Sequence, residues 1–226
     1  MKLCVVSDVH GNRGAHEFVK TLVPDANLYV DCGDSEYDES EIRTLKKDGW
    51  ICVRGNMDYN YELEDKEYFE FAGYKFLVMH GDRMTYRTFD EDIDIILRGH
   101  SHVFLFDDTS YEKIVINPGS FSKPRDNDMR WGLGEFCTIH IDENKKLTVE
   151  RIIIDPYKKE LYVPNSATKD YVGSIVIHPT RGKGKVFKQD GDRLFISFKD
   201  RKSILTIDWV LEYCEIKEKK GWLDFF

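Results

Sequence analysis

The chain has 226 residues, 41% of them hydrophobic and 33% charged, with a formal net charge of −8. That composition supports a packed core and excludes a disordered chain. No apolar run approaches the roughly 18 residues a membrane-spanning helix needs, so no membrane partner is expected.

The N-terminal run Lys2–Asp8 is apolar and reads as a strand. It is too brief for a signal-peptide core and no small-residue cleavage site follows, which makes the cytoplasm the expected compartment. Arg13–Val23 has helical spacing, with Ala15, Phe18, Val19 and Leu22 on one face. Asn27–Asp34 is a second strand, Glu39–Asp48 a short charged helix and Trp50–Arg54 a third strand. This alternation predicts an α/β fold with a parallel sheet. Tyr68–Ala72 and Lys75–Met79 flank Gly73-Tyr74 as a hairpin, Phe89–Ile93 reads as helical and Ile95–Arg98 as a buried strand. Strands are then expected at Val103–Phe106, Lys113–Ile116, Glu135–Ile141 and Leu147–Ile154, a largely antiparallel set. The two halves together predict a two-layer β-sandwich flanked by helices.

Residues Pro156–Asp170 lack periodicity and read as a linker. The charge also changes sign there. Residues 1–155 hold 19 Lys and Arg against 31 Asp and Glu, a balance of −12, whereas residues 156–226 hold 14 against 10, a balance of +4. Three segments are therefore expected: a domain over 1–155, a linker over 156–170, and an all-β domain over 171–226. In the last, Val172–His178, Gly184–Gln189, Leu194–Phe198 and Ser203–Ile207 read as strands, followed by a turn or helix at Asp208–Leu211. Short strands with Gly and Asp turns predict a small barrel. The five cysteines (Cys4, Cys32, Cys52, Cys137 and Cys214) show no Cys-x-x-Cys spacing and read as reduced residues.

The chemistry concentrates at strand ends. The first strand ends in Asp8-Val9-His10, the second in Gly33-Asp34 and the third in Gly55-Asn56-Met57-Asp58. The hairpin ends in His80-Gly81, and the strand at Ile95–Arg98 ends in Gly99-His100-Ser101-His102. In open α/β sheets the C-terminal edge is where ligands bind. The set is all carboxylate, amide and imidazole, without thiolate. It exceeds what one four-coordinate ion uses and suits two divalent ions sharing a carboxylate. Asp34, the lone acid of the second strand end, is the expected bridge. His100 and His102 are spaced to diverge to the two ions. His16 reads as a surface or supporting residue, and His140 and His178 as non-ligands.

The ordered series Asp8-x-His10, Gly33-Asp34, Gly55-Asn56-x-Asp58, His80-Gly81 and Gly99-His100-x-His102 resembles the calcineurin-like metallophosphoesterase superfamily. Asn117-Pro118-Gly119-Ser120 looks like its small bacterial and archaeal phosphodiesterase branch. The resemblance covers roughly residues 1–155. It implies that Asp8, His10, Asp34 and His102 hold one ion and that Asp34, Asn56, His80 and His100 hold the other. The implied metals are manganese, iron, zinc or nickel. The implied reaction is hydrolysis of a phosphodiester by a metal-bridging hydroxide, with Asp8, Asp34, Asn56 and His80 at its centre. Asp58 and Ser120 are expected to orient the ligands, and Arg125 is placed either to reach a substrate phosphate or to be solvated. Many relatives carry histidine after the Gly-Asn pair. Here it is Met57, which has no acidic proton.

Residues 171–216 are similar to SH3-like and Tudor-like barrels, on the strength of Gly173, His178-Pro179, Gly182-x-Gly184-x-Val186 and the Phe195–Phe198 strand. The likeness implies docking of a protein or nucleic acid, with the basic run Arg181–Lys185 as its contact, and leaves room for an oligomer. Two rival functions follow: a non-catalytic protein-binding scaffold of the same fold, as in a retromer subunit, and a nuclease guided by the C-terminal domain.

Overall fold

The computed structural model describes residues 1–59, 61–83, 92–108, 113–126, 132–162, 171–190, 193–199 and 201–217. They fall into two units: Met1–Asp126 with Gly132–Tyr162, and a second unit that takes in the chain from Val163 onward. No described helix is long and apolar enough to cross a membrane.

The first unit opens as β1 (Lys2–Val6), α1 (Ala15–Leu22), β2 (Leu28–Asp31), α2 (Glu39–Lys47) and β3 (Trp50–Cys52). β1, β2 and β3 are parallel neighbours, with Val5 opposite Val30 and Val30 opposite Ile51. α1 starts at Gly14 without a side-chain cap and buries Ala15, Phe18 and Val19, so tertiary packing of its apolar face holds it. α2 begins with a capping box, Asp38 accepting from the Glu41 N–H and Glu41 from the Asp38 N–H.

Then follow β4 (Lys66–Phe71), β5 (Tyr74–Met79), β6 (Ile95–Leu97), β7 (Phe104–Asp107), β8 (Ile114–Pro118), β9 (Gly134–Ile141), β10 (Leu147–Asp155) and β11 (Glu160–Leu161). The expected antiparallel set is instead divided between two sheets. β4 to β8 form a mixed sheet in the order β4-β5-β6-β8-β7, with β5, β6 and β8 mutually parallel. β9 and β10 join the first sheet, in the order β11-β10-β9-β1-β2-β3, because β9 pairs antiparallel with β1. Of the helix expected at 89–93, residues 89–91 lie outside the described residues, and Asp92 and Ile93 are not helical. Residues 156–162, expected to begin a linker, form a turn and the strand β11 paired to Ile154 and Asp155, while 163–170 lie outside the described residues.

Strand alternation sorts the core into layers. Leu3 and Val5 of β1, Phe76 and Val78 of β5 and Ile95 and Leu97 of β6 meet between the two sheets. Cys4 and Val6 of β1 face the other way, into a cluster with Phe18, Val19 and Ile42 of the helices. The unit is thus a two-layer sandwich with helices on one outer face. The parallel strand ends converge at one rim.

The second unit contains β12 (Ile175–His178), β13 (Gly182–Asp190), β14 (Arg193–Phe198), β15 (Lys202–Thr206), α3 (Ile207–Tyr213) and β16 (Glu215–Lys217). It has its own core, with Val176, Val186, Leu194, Ile196, Ile207 and Val210 all buried. Its strands form an antiparallel sheet in the order β15-β14-β13-β12-β16. The expected barrel is not closed among the described residues: β15 and β16 are sheet edges, because α3 carries the chain from β15 to the far side of β12.

Candidate metal centre

The rim residues are placed by loops zipped to one another through the backbone. The Asp8 N–H donates to Gly33 O, the His10 N–H to Asp34 O and the Gly11 N–H to Ser35 O, each at 2.9 Å. The Gly99 N–H reaches His80 O at 2.9 Å and the Phe121 N–H reaches Ser7 O at 3.0 Å. A Cβ on Gly99 would overlap the Ser7 hydroxyl, and one on Gly55 would overlap the Asp34 carboxylate. Both positions therefore need glycine for close approach. Asp8, His10, Asp34, His100 and His102 all adopt φ between 50° and 68°. Left-handed backbone in residues other than glycine is uncommon and concentrates at functional sites.

Asp8 is fully buried. Its Oδ2 accepts from the Ser7 hydroxyl at 2.7 Å and the His100 N–H at 3.1 Å. Its Oδ1 is buried without a hydrogen bond; it lies 3.1 Å from His102 Nε2 and 4.0 Å from both His10 Nε2 and His80 Nε2. Asp34 accepts the Met57 N–H on Oδ1 at 2.7 Å and turns Oδ2 toward His80 Nε2 at 3.3 Å. Burial opposes ionisation of Asp34, but the His80 ring and the Met57 N–H hold its carboxyl below the ordinary value.

The imidazoles are oriented by oxygen acceptors behind them. His10 Nδ1 is 2.6 Å from Glu36 Oε1, His80 Nδ1 2.9 Å from Cys32 O and His102 Nδ1 2.7 Å from Lys123 O. An oxygen there requires Nδ1–H to donate, which turns each Nε2 toward the centre. His10 Nε2 and His102 Nε2 then stand 3.2 Å apart. Two imidazole nitrogens held about 2.0–2.1 Å from one tetrahedral ion would be separated by about 3.3 Å. Neutral rings of this tautomer cannot hydrogen-bond each other at that point. A cation between them resolves the contact, so the donor set fits the divalent ions that the sequence motif implies.

His80 makes the same case from the proton side. Burial disfavours its charge, but Asp34 and Asp8 raise its pKa to about 9. Charged, it donates from Nδ1 to Cys32 O while Nε2 faces Asp34 Oδ2 at 3.3 Å and Asn56 Oδ1 at 3.2 Å. The site is anionic enough to demand a positive charge.

Ligand atoms of Asp8, His10 and His102 lie within 4.8 Å of one another, as do those of Asp8, Asp34 and His80. The shared carboxylate of these two groups is Asp8; Asp34, named from sequence as the bridge, belongs to one. Asn56 and His100 are exposed at the mouth, where Asn56 Oδ1 accepts from His100 Nδ1 at 2.9 Å. Asp58 is buried and accepts the N–H groups of Asp34, Gly55 and Glu36, each at 2.8 Å. The buried Ser120 hydroxyl donates to Asp8 O at 2.9 Å. Arg125 is exposed, and its contact with the site is a backbone one, its N–H donating to His102 O at 2.7 Å.

His16, expected at the surface or in a supporting role, is buried on α1 and supports: Nε2 is 2.7 Å from Asp31 Oδ2 at the end of β2, which also accepts the Ser35 hydroxyl at 2.6 Å. Asp31 Oδ1 accepts the Gly33 N–H at 2.9 Å, so this pair braces the loop that carries Asp34. Asn117 braces the opposite loop, its Nδ2 donating to Gly99 O at 2.8 Å and to the Ser101 hydroxyl at 3.0 Å. Sequence reading missed Asp31 and Glu36, which follow no motif.

A cleft of about 620 Å³ opens from Asn56 and His80. Arg54, Tyr59, Tyr61, Lys66 and Arg83 line it, together with Asp65 and Asp82. Tyr59 and Tyr61 are 89% and 90% exposed.

Comparison with known proteins agrees with this fold. Residues 1–144 match the calcineurin-like phosphoesterase superfamily domain. An uncharacterised protein of Streptococcus pneumoniae, described as a predicted phosphoesterase, aligns with 71% of the chain and 92% of its own length, at 24% identity and a TM-score of 0.57. YfcE, a phosphoesterase of E. coli, aligns with 68% of the chain and 100% of its own length, at 20% identity and a TM-score of 0.52. An archaeal phosphodiesterase aligns with 67% of the chain and 99% of its own length, at 20% identity and a TM-score of 0.50. No curated protein matches the chain.

Proposed function

The chain belongs to the calcineurin-like phosphoesterase superfamily, and we propose that within it this protein is a dinuclear, metal-dependent phosphodiesterase. The observation that carries this reading is the pair of ligand groups meeting at Asp8, whose Oδ1 is buried without a hydrogen bond. Asp8, His10, Asp34 and His102 would hold one ion and Asp34, Asn56, His80 and His100 the other. The centrality of Asp8 makes it a second carboxylate able to join them. Divalent ions bound there supply Lewis acidity, a nucleophile at neutral pH and neutralisation of phosphate charge. Nitrogen and oxygen ligation without thiolate suits manganese, and also admits iron, zinc or nickel.

The chain's own residues do the rest. Glu36, Cys32 O and Lys123 O hold the imidazoles in one tautomer. Asp58 and Ser120 fix the loops beneath the carboxylates. The cleft beginning at Asn56 and His80 gives the ester's organic group a place beside the ligands. Asp65 and Asp82 in that cleft are paired with Arg54 and Arg83, which leaves the exposed Tyr59 and Tyr61 rings as its surface for that group. The five free cysteines, four of them buried, suit a reducing cytoplasm. In the second unit, the order of five antiparallel strands with a helix before the last is in keeping with an SH3-like fold that docks a partner.

The test is hydrolysis of bis(p-nitrophenyl) phosphate in a screen of manganese, iron, zinc and nickel, with bound metal counted on the same samples. Two ions per chain and loss of at least a hundredfold in kcat for Asp8→Asn and Asp34→Asn are expected. Full activity of Asp34→Asn sinks its bridging role. Stoichiometric metal without hydrolysis of any ester favours a scaffold.

A further inference from the structure

We propose that the solvent face of the second unit's sheet is a binding platform for single-stranded nucleic acid. Cross-strand register places its residues in rows. One row runs across all five strands as Lys217, Ile175, Lys185, Ser197 and Lys202. The next is Lys188, Phe195 and Ile204. A register shift between Val186 and Lys188 turns Phe187 out beside it, 46% exposed. The opposite face carries Val176, Val186, Leu194 and Ile196, each fully buried in the unit's core, so the apolar side chains on this face lie outside that core.

The two aromatic rings are adjacent, Phe187 and Phe195 with centroids 6.2 Å apart. Each carries a lysine over it: Lys202 Nζ lies 5.3 Å from the Phe187 centroid and Lys188 Nζ 4.8 Å from that of Phe195. An exposed ring, Phe187, beside a half-buried one, Phe195, both interleaved with lysines, matches a strand of nucleotides, whose bases stack on rings while its phosphates take the ammonium groups. With Lys183 opposite Ile177, the rows hold five lysines. The one acid in these rows, Glu215 opposite Ile177, already faces Lys217 at 3.6 Å. An acidic peptide would satisfy the lysines but leave the rings unmatched. Duplex DNA offers no exposed base face to stack. The +4 balance of residues 156–226 is the favourable sign. The basic run noted in the sequence thus contributes Lys183 and Lys185, whereas Arg181 turns to the Ser203 hydroxyl at 3.0 Å.

The experiment is fluorescence anisotropy of the full chain with labelled oligo(dT) and oligo(U) of about 15 nucleotides, in EDTA, so that failure of the phosphoesterase reading leaves the result intact. We expect the single strand to bind at least fivefold tighter than a duplex of equal length. Three or four neutralised phosphates give log K against log salt a slope of roughly −2 to −3. Phe187→Ala weakens binding about tenfold and Phe187→Trp retains it, both with unchanged melting because the ring is exposed. Lys185→Glu with Lys202→Glu flattens the slope. The proposal is overturned by equal or tighter binding of duplex, by an unaffected Phe187→Ala, or by polyglutamate displacing the oligonucleotide at equal charge.

Discussion

Met57 stands between two parts of the site. Its N–H holds Asp34 Oδ1 at 2.7 Å, while its side chain, next in sequence to Asn56, is 42% exposed. The backbone contact tolerates any side chain, but a thioether brings no proton for a departing alkoxide. Hydrolysis of aryl phosphodiesters should therefore depend steeply on leaving-group pKa, and Met57→His should flatten that dependence by raising rates for poor leaving groups about tenfold or more. A flat wild-type plot of log kcat/KM would count against this. At the same scale, the clustering of Asp8, His10, Asp34, His80 and His102 was readable because the proposed ions need carboxylate and imidazole, and few residue types supply them. Their supports were legible only in part: Asp58 and Ser120 follow the motifs and hold the loops of Asp34 and Asp8, but others left no trace. His80 and His102 lean on the carbonyls of Cys32 and Lys123, and a carbonyl leaves no mark on residue identity. His16 and Asp31 are 15 positions apart and joined only by folding.

Elements were legible where periodicity met a packing partner. β1, α1, β2, α2 and β3 all follow from apolar spacing, within a few residues at each end. Strand partners were not legible: β9 looks like its neighbours in sequence, yet it crosses to pair with β1 because Cys137 and Ile139 fit between the sheets opposite Val5 and Leu3. That crossing buries Glu135 of β9, which meets Arg151 of β10 through Oε2, while Arg151 reaches Asp126 Oδ2 at 2.9 Å. Asp126 Oδ2 in turn accepts the Phe104 N–H at 2.9 Å, so the network ties the segment that orients His102 to two strands. Burial and the neighbouring Asp126 push the Glu135 carboxyl up to about 8, against the pull of Arg151. The folded chain thus holds a proton that the unfolded chain releases near pH 4.5. The contribution of Glu135 to stability is therefore full below about pH 4.5 and declines as pH rises to about 8. Glu135→Gln removes that decline. Melting temperatures in EDTA across this range should converge or cross, with the variant gaining on wild type as pH rises. A constant difference between the two would refute the buried proton.

Over the whole molecule, the change of charge sign near residue 156 pointed to two units but misplaced the functional edge of the first. Pro156 O accepts from Asn12 Nδ2 at 3.1 Å, and Lys159 Nζ donates to Asn12 Oδ1 and Arg13 O, each at 3.0 Å. Asn12 follows His10 in the loop after β1, so these residues pin the loop that carries two proposed metal ligands, Asp8 and His10. β11 then closes the sheet edge, with Leu161 opposite Ile154. A chain ending at Asp155 loses both contacts, whereas one ending at Tyr162 keeps them. The cores of the two units share no residue, so the longer fragment retains everything the metal centre uses. We expect residues 1–162 to hydrolyse a small aryl diester within about twofold of the full chain. Residues 1–155 should bind manganese at least tenfold more weakly and melt earlier, since loss of a few hydrogen bonds and a strand costs about 1 kcal/mol each. Equal metal affinity of the two fragments would show that the segment after Asp155 plays no part in the site. Collapse of the 1–162 fragment, with wild-type activity recovered only in the full chain, would show that the second unit supports the first as well as carrying a surface of its own.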